Sequence, residues 1–433
     1  MANNKVQLAN GLVLIDLTED TVTPETLASG YTAHTASGSQ ITGTMQSVQL
    51  DTLNVVSNGI YNPSSNHAFG QVAVNVYGTG EEGLSYLSNL LARSVSSSYY
   101  NPVLTNAGPY AFTGCSNITS VDLPACKTFQ SDAFYSCSKL TTIVASGCES
   151  IGNYAFRSLQ SLTTVIFPEC SYIGPNAFAE CSRLSNLSFP NCTTISQHAF
   201  QSCSRSLSTV YFPKCTEIGD AAFAACSSLT TAIFPECTSM QQYAFQSCRS
   251  LATVDLPKCT VIPSGAFTSC WNLSAVNMPL CASIRESAFT DCRSALISIS
   301  FPECSSVGQS AFYSCSVLTT VYLPKLSRVL STVFRDCSSL TTVFLSACTS
   351  ISSSAFSGCR YFISLYLLGS SVTSIYDSRV FYSTPIGGYS ASAGQYGSVF
   401  VKESLYSSYI ADTTWRYLSS RIASLTDAEI EAL

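Results

Sequence analysis

The sequence predicts an α/β repeat solenoid: similar turns stacked along one axis, with a parallel sheet of about 12 strands, helical caps and a small β-rich N-terminal module. Two observations lead to this prediction. An Ala-Phe or Val-Phe pair recurs every 22 residues along most of the 433-residue chain, and a Leu-x-x-Val-x-Phe segment and cysteines recur with it. A fixed period of this length is typical of stacked supersecondary units, each of which buries its apolar face against its neighbours.

The phenylalanine of the Ala-Phe pair defines the repeat length. Its spacing is 22 residues, with two steps of 23 and a last step of 25. One-residue insertions within 203–207 and within 292–296 account for the two steps of 23. The thirteen phenylalanines are Phe112, Phe134, Phe156, Phe178, Phe200, Phe223, Phe245, Phe267, Phe289, Phe312, Phe334, Phe356 and Phe381.

Each repeat also contains one predicted strand. Residues 162–167, with the pattern Leu-x-x-Val-x-Phe, represent it, and the three apolar side chains should point into the solenoid. Pro168 follows and ends the strand, because proline has no N–H to donate to a neighbouring strand. The chain over 173–181 then returns along the opposite side, with Phe178 packed inward.

The 21 cysteines occupy two columns of the repeat, one three residues after the phenylalanine of the Ala-Phe pair and one after the strand. Each column has one gap, filled by Leu159 and Leu326. Leucine can replace a small buried apolar residue, as free cysteine often is, but neither a metal ligand nor half of a disulfide. We therefore predict reduced core thiols, no metal site and no cofactor. Disulfides between stacked turns remain the alternative, since strand spacing allows them, although the odd count and the leucines disfavour them.

The repeat unit AFxxCxxLTTVxFPxC resembles that of the BspA-like family of bacterial leucine-rich repeat proteins, over residues 106–382. The resemblance implies a leucine-rich-repeat solenoid. The family is associated with surface attachment and host interaction rather than with catalysis, so it provides no catalytic residues to transfer to this chain.

The outward positions of the predicted strands form the candidate binding face on the concave side of the solenoid. Most are Thr or Ser, but the third outward position is aromatic at Tyr211, Tyr322, Phe344 and Tyr366. The last three are consecutive and should form a stripe suited to a glycan or a protein. The alternative is that the aromatic ladder only stabilises the sheet by cross-strand pairing.

The rest of the chain is predicted to flank the solenoid of residues 106–382. Residues 1–80 form a β-rich attachment module, with a strand at 71–76, and residues 81–105 form an N-terminal cap with a helix over 81–95. Residues 383–433 form the C-terminal cap. In that cap the sequence predicts a strand at 398–401 and helices at 403–411, 414–424 and 427–433, with Trp415 and Tyr417 packed on the last turns.

Two N-terminal segments resemble modules of phage tail and baseplate proteins. They are GYTAHTASGSQITGTM at residues 30–45 and SNGIYNPSSNHAFGQVAVNV at residues 57–76. The resemblance implies attachment of this module to other virion tail or baseplate proteins.

Composition excludes several function classes. The net charge of −6 and the pI near 5.1 disfavour nucleic-acid binding, and no apolar run is long enough for membrane insertion. The first twenty residues do not have the pattern of a signal peptide. With only His34, His67 and His198 as imidazole bases, and no catalytic motif, we predict that the chain is not an enzyme.

These observations predict a phage tail or baseplate component, assembled in the host cytoplasm, that contacts a host surface glycan or protein through the solenoid. The alternative is an adhesin or host-interaction protein on the bacterial cell surface. A glycan-degrading enzyme is a third and weaker alternative. Self-association into a homo-oligomer is left open.

Overall fold

The computed structural model describes residues 97–388 and 394–433, together with the backbone of seven short strands before residue 97. The chain divides into two compact units, one comprising Met1–Cys148 with Val165–Phe167 and the other Glu149–Thr164 with Pro168–Leu433.

The seven N-terminal strands form two sheets. The first is antiparallel, with Val13–Asp16, Lys5–Gln7, Thr32–His34 and Gln40–Thr42 in that spatial order. The second contains Ile60–Tyr61, Thr52–Val56 and Gln71–Val74, and the last of these corresponds to the strand expected at 71–76. The helix predicted over 81–95 lies outside the described residues.

From residue 98 onward, each turn contributes one strand of three to five residues, which we call a long strand, and most turns add a two-residue short strand. The long strands are Ser98–Tyr100, Ser120–Asp122, Thr142–Val144, Thr164–Ile166, Asn186–Ser188, Thr209–Tyr211, Thr231–Ile233, Thr253–Asp255, Ala275–Asn277, Ser298–Ser300, Thr320–Tyr322, Thr342–Leu345, Ser364–Leu367, Ser398–Lys402 and Ile422–Leu425. The short strands are Asn106–Ala107, Thr128–Phe129, Ser150–Ile151, Tyr172–Ile173, Thr194–Ile195, Glu217–Ile218, Ser239–Met240, Val261–Ile262, Ser283–Ile284, Ser306–Val307, Arg328–Val329, Ser350–Ile351 and Ser374–Ile375.

The structure has fifteen long strands among its described residues, where the sequence predicted about 12. Ser98–Tyr100 and Ile422–Leu425 were not predicted, and Ser398–Lys402 was expected only as a strand of the C-terminal cap; all three lack the full repeat motif. Strand pairing uses backbone N–H and C=O groups, so a terminal segment can extend the sheet without the repeat's side chains. Short strands on the return side were not predicted.

Within the second unit, paired long strands are parallel and offset by one turn, as in Thr320↔Thr342 and Tyr322↔Phe344. The middle residue of each strand points inward, so Val321 and Val343 are buried. The ladder is interrupted between Asn186–Ser188 and Thr209–Tyr211 and between Ala275–Asn277 and Ser298–Ser300. Both interruptions coincide with the one-residue insertions, because the extra residue disturbs the offset that pairing requires.

A column of phenyl rings runs through the core of the second unit. From Phe156 to Phe381, eleven successive rings are buried, and each stacks on the next at centroid distances from 5.0 to 6.0 Å. Interplanar angles stay at or below 22°. The predicted contact of phenyl rings between successive turns is confirmed. The small residue before each phenylalanine, such as Ala177 or Ala199, is fully buried beside it.

The cysteines three residues after each repeat phenylalanine form hydrogen bonds between turns as well as filling the core. Cys181 Sγ donates to the Phe156 carbonyl oxygen at 3.0 Å, in the preceding turn. The same bond recurs with donor–acceptor distances of 2.9 to 3.2 Å at ten of the eleven cysteines of this column: Cys137, Cys181, Cys203, Cys226, Cys248, Cys270, Cys292, Cys315, Cys337 and Cys359. A thiol therefore provides an apolar volume together with a weak donor for a buried carbonyl.

Most cysteines of the second column bond locally. Cys215 Sγ, for example, donates to the Glu217 carbonyl oxygen at 3.2 Å, two residues along the chain. Cys259 Sγ instead donates to the Cys237 carbonyl oxygen of the preceding turn at 3.1 Å. Every cysteine of the chain is buried and unbridged, so the prediction of core thiols agrees with the structure.

The C-terminal segment differs from the prediction in one element. The strand at 398–401 and the helix at 403–411 are found as Ser398–Lys402 and Glu403–Ala411, and a short helix spans Asp427–Glu431. The prediction of a helix at 414–424 is wrong, because a 3₁₀ helix, Arg416–Arg421, is followed there by the strand Ile422–Leu425. Parallel pairing with Ser398–Lys402 satisfies the backbone of this strand and outweighs its helical pattern.

Trp415 and Tyr417 have different environments. Trp415 is fully buried, and its Nε1 donates to the Thr373 carbonyl oxygen at 2.6 Å. Tyr417, which we expected to pack on the last turns, is 48% exposed. The sharp turn at Asp412, whose Oδ1 accepts from Thr414 N at 2.7 Å, directs the indole inward.

We predict that the native protein does not react with a thiol reagent such as DTNB at pH 8 under conditions that label all 21 cysteines after denaturation. The thiolate is the reactive form, and burial raises the pKa of Cys181 to about 12. Rapid labelling of several cysteines in native buffer, with no loss of circular dichroism, would contradict the buried columns.

We also predict that the free energy of unfolding falls as the pH rises from about 9 toward 12. Burial raises the pKa of Cys181 and Cys215 from 9.0 to about 12, so these thiols keep their protons in the native state while the unfolded chain loses them. At pH 10 the free energy of unfolding is therefore lower than at pH 7 by about 1.4 kcal/mol per thiol.

Urea unfolding in reductant at pH 7 and pH 10 checks this expectation. The matched variants Cys181→Ala and Cys215→Ala should each lose less stability between the two pH values than the parent does. Lysine and tyrosine titration is common to all three proteins and cancels in the comparison, so identical pH dependence in all three would refute the assignment.

Candidate binding face

The outward residues of the long strands form a regular surface. In the second unit, the first outward residue of a strand is usually Thr or Ser, as at Thr320, Thr342 and Ser364, and all three are half-buried. The other outward residue of the strand, two positions later, is the position predicted to be aromatic in some turns, and its chemistry varies from turn to turn. The register of the sheet places these varied residues in one row, so any run of similar residues becomes a continuous stripe.

Four aromatic rings occupy successive positions of that row: Tyr322, Phe344, Tyr366 and Phe400, which we call the aromatic stripe. Register pairs Tyr322 with Phe344, Phe344 with Tyr366, and Tyr366 with Phe400. Ser300 and Ala423 pair with the two ends, so the stripe is bounded by small residues on both sides.

The rings of the aromatic stripe are not arranged alike. Phe344 stacks on Tyr366 at 4.5 Å between ring centroids, with 11° between planes, and Tyr366 stacks on Phe400 at 4.7 Å and 17°. Tyr322 lies 6.1 Å from Phe344 with its plane tilted by 58°. The three stacked rings are half-buried, whereas Tyr322 is 44% exposed. The inner rings therefore cover each other's faces and present mainly edges to solvent.

Tyr211, the fourth aromatic residue predicted for this face, stands apart. Its side chain is 59% exposed, and its register partner is Ile233. In the two turns that follow Ile233, the same position of the row holds Asp255 and Asn277. Asn277 Nδ2 donates to Asp255 Oδ1 at 2.6 Å. The structure thus brings Tyr322, Phe344 and Tyr366 together but not Tyr211.

Phe400 was not predicted as part of the stripe. The strand containing it was expected at 398–401, but it lies outside the 22-residue period, so the sequence did not align it with Tyr366. The signal was present in the alternation of the SVFVK segment, whose Val399 and Val401 are buried and whose Phe400 must then face outward.

Metal ligands and nucleophiles were the remaining candidates for a catalytic site in the described part of the chain. Among residues 97–388 and 394–433, no group of three or more His, Cys, Asp or Glu side chains is arranged to hold a metal ion. His198 lies in the return segment with φ of 56°, and its backbone N–H donates to the Asp220 carbonyl oxygen at 2.8 Å. Burial raises the pKa of thiols such as Cys126 and Cys348 to about 11, which opposes a nucleophilic role.

Within the same described part of the chain, no helix is both long and apolar enough to span a bilayer.

Comparison with solved structures gives similar solenoids. A leucine-rich repeat protein from Bacteroides ovatus is 17% identical, with a TM-score of 0.50, over 89% of this chain and 94% of that chain. A leucine-rich cell surface protein from Faecalibacterium prausnitzii is 20% identical, with a TM-score of 0.39, over 70% and 90% of the two chains. The pneumococcal vaccine antigen PcpA is 15% identical, with a TM-score of 0.43, over 77% and 88%. At 17% identity the B. ovatus protein supports the fold alone.

Comparison of sequences identifies the family. No curated protein matches the chain significantly. The family described as BspA type leucine-rich repeat region matches at residues 94–206, 171–295 and 260–387, in six copies. The comparisons indicate no catalytic family, and they do not reproduce the N-terminal resemblance to phage tail modules. Because these matches together cover well over half of its 433 residues, the chain belongs to the BspA-type leucine-rich repeat family.

Proposed function

We propose that this protein is a non-enzymatic adhesin of the bacterial cell surface, and that it binds a partner protein through the aromatic stripe. The observation that carries the proposal is the row Tyr322, Phe344, Tyr366 and Phe400, whose four strands are held together by continuous backbone pairing. Aromatic side chains on a rigid surface provide large contact area at low entropic cost, and they are enriched at protein interfaces.

Ring orientation favours a protein partner over a glycan. A sugar ring packs best on an exposed aromatic face, but Phe344, Tyr366 and Phe400 cover one another's faces at 4.5 and 4.7 Å. Their exposed edges, with the threonine and serine hydroxyls of the adjacent row, suit apolar side chains and backbone groups of a protein. Tyr322 adds a hydroxyl at the exposed end of the stripe.

A cell-surface role is favoured over the virion role that the sequence first led us to expect. Family membership supports it, since BspA-like repeats are associated with surface attachment. The virion role depends on the segments at 30–45 and 57–76, most of whose residues lie outside the described part of the chain. Labelling intact producing cells with an antibody against the solenoid tests the proposal. Absence of label, with the chain recovered by mass spectrometry from purified phage particles, would reverse it.

We predict that Tyr322→Ser weakens binding of the labelled protein to target cells at least tenfold, because Tyr322 is the most exposed ring of the stripe. The matched control is Tyr211→Ser, which removes a more exposed tyrosine from the same row outside the stripe. The control should retain binding within twofold. Both variants should keep the parent's midpoint of thermal unfolding, since neither ring belongs to the close stack.

The measurement uses mammalian epithelial cells and bacterial cells, each untreated and treated with protease. A protein partner requires that protease treatment abolish the part of the binding that Tyr322→Ser removes. Equal loss in both variants, or full binding by Tyr322→Ser, would show that the stripe only stabilises the sheet. Protease-resistant binding that is removed by glycosidases would assign the stripe to a glycan instead.

A further inference from the structure

A second surface differs in chemistry from the aromatic stripe. In each turn of the second unit, a few residues separate the buried cysteine of the Phe-x-x-Cys segment from the apolar residue that precedes the long strand, and we call this position the Cys corner. From Cys181 to Phe362 the nine Cys corners contain Arg183, Arg205, Arg249, Arg293 and Arg360 and no carboxylate. This pattern is unexpected in a chain with a net charge of −6, of which only 11% of the residues are charged.

The arginines of the Cys corner are exposed and mostly unneutralised. All five are exposed to solvent. Arg293 pairs with Asp291, but Arg183, Arg205 and Arg249 form no ion pair with any described residue. The position just before the cysteine is acidic at Glu180, Asp291 and Asp336, and these carboxylates pair with Arg157, Arg293 and Arg335.

Lysines on another edge of the same unit have a different environment. Lys258 pairs with Glu236, Lys325 Nζ lies 2.6 Å from Glu303 Oε2, and Lys214 Nζ bonds Asn191 Oδ1 at 2.7 Å. Each of these cations already has a partner in the preceding turn. Arg285 and Arg328 on the return side also lack an ion pair with any described residue, but the Cys corners hold three such arginines, Arg183, Arg205 and Arg249.

Trp271 orders part of this surface. It occupies the Cys corner between those of Arg249 and Arg293, and the guanidinium carbons of the two arginines lie 4.3 and 5.5 Å from its ring centroid. Stacking on an indole holds a guanidinium in a defined orientation while its N–H groups remain available in their plane for a bidentate anion. Backbone bonds between corners, such as Ser294 N to Trp271 O at 3.0 Å, keep successive corners in line.

The spacing of the charges defines the ligand. Arg183 and Arg205 lie one turn apart, and Arg205, Arg249 and Arg293 follow at two-turn intervals, which corresponds to roughly 10 Å at ~4.8 Å per strand. Double-stranded DNA carries one charge per ~1.7 Å, far denser than this row. A polysaccharide with one or two anionic groups per disaccharide matches the row better.

We infer that the Cys-corner arginines Arg183, Arg205 and Arg249 form a binding surface for an anionic polysaccharide, separate from the aromatic stripe. The carboxylate or sulfate groups of the polysaccharide are bound by arginine guanidinium groups, one of which stacks on Trp271 while the others extend into solvent. This surface goes beyond the proposed adhesin function, because it requires neither the stripe nor a protein partner.

The test compares two triple variants with the same change in net charge. Arg183→Gln, Arg205→Gln and Arg249→Gln together remove the unpaired corner charges, and Lys214→Gln, Lys258→Gln and Lys325→Gln together remove partnered ones. Binding to hyaluronate, chondroitin sulfate, uncharged dextran and double-stranded DNA is measured for both and for the parent. Hyaluronate separates carboxylate recognition from the sulfate recognition that chondroitin sulfate adds.

We expect the parent to bind at least one of the two anionic polysaccharides but not dextran, with affinity that falls as salt rises. The arginine triple variant should lose at least tenfold in affinity and show a shallower salt dependence, whereas the lysine triple variant should change less than twofold. Tyr322→Ser should bind the polysaccharide like the parent, so failure of the stripe proposal and failure of this one are distinguishable.

Three results would overturn the inference: no polysaccharide binding by the parent, equal loss in the two triple variants, or tighter binding to DNA than to either polysaccharide. If the arginine triple variant fails to fold, as judged by loss of thiol protection, the double variant Arg183→Gln with Arg205→Gln leaves the Trp271 stack intact. Its control is Lys214→Gln with Lys258→Gln, and a loss of at least threefold confined to the arginine pair is expected.

Discussion

The fold of the second unit depends on contact between equivalent residues of successive turns, above all between phenyl rings and between a thiol and a carbonyl. Phe200 stacks on Phe178 and Phe223 in the turns on either side, and Cys226 Sγ donates to the Phe200 carbonyl oxygen at 3.1 Å. Each turn is too small to bury its own apolar face, so it is stable only with its neighbours in place. The Phe200 carbonyl oxygen also accepts from Cys203 N at 3.2 Å, so the thiol adds a second, weak hydrogen bond that alanine could not donate.

Because equivalent residues of successive turns contact each other inside, equivalent residues also line up outside. The same one-turn register that stacks the phenyl rings places Tyr322, Phe344, Tyr366 and Phe400 in one row. It also brings Arg249 and Arg293 onto Trp271. A single outward residue on such a scaffold has little effect alone, but repetition over consecutive turns converts one residue type into an extended surface.

The core and the surface can therefore change independently. Each 22-residue repeat uses the same phenylalanine and a nearly invariant set of small and apolar residues, whereas the outward row passes from Asp255 and Asn277 to an aromatic run within a few turns. The aromatic stripe and the Cys-corner arginines occupy different positions of the repeat. One chain of this family can thus present an apolar surface and a basic one without altering its packing, which suits a protein whose function is recognition.

Sequence alone determined the period, the identity of the core columns, the position of the long strands and the buried state of the cysteines. These properties depend on contacts between residues a fixed distance apart in the chain, so the repeat itself reveals them. Leu159 and Leu326, which interrupt the cysteine columns, were sufficient to distinguish a core position from a ligand.

Only the tertiary structure decided that Phe400 extends the stripe and that Ile422–Leu425 is a strand. It also decided that three aromatic rings cover one another's faces. The C-terminal segment has lost the repeat, so its conformation depends on the sheet edge that it meets, and ring orientation depends on neighbours that no local pattern specifies.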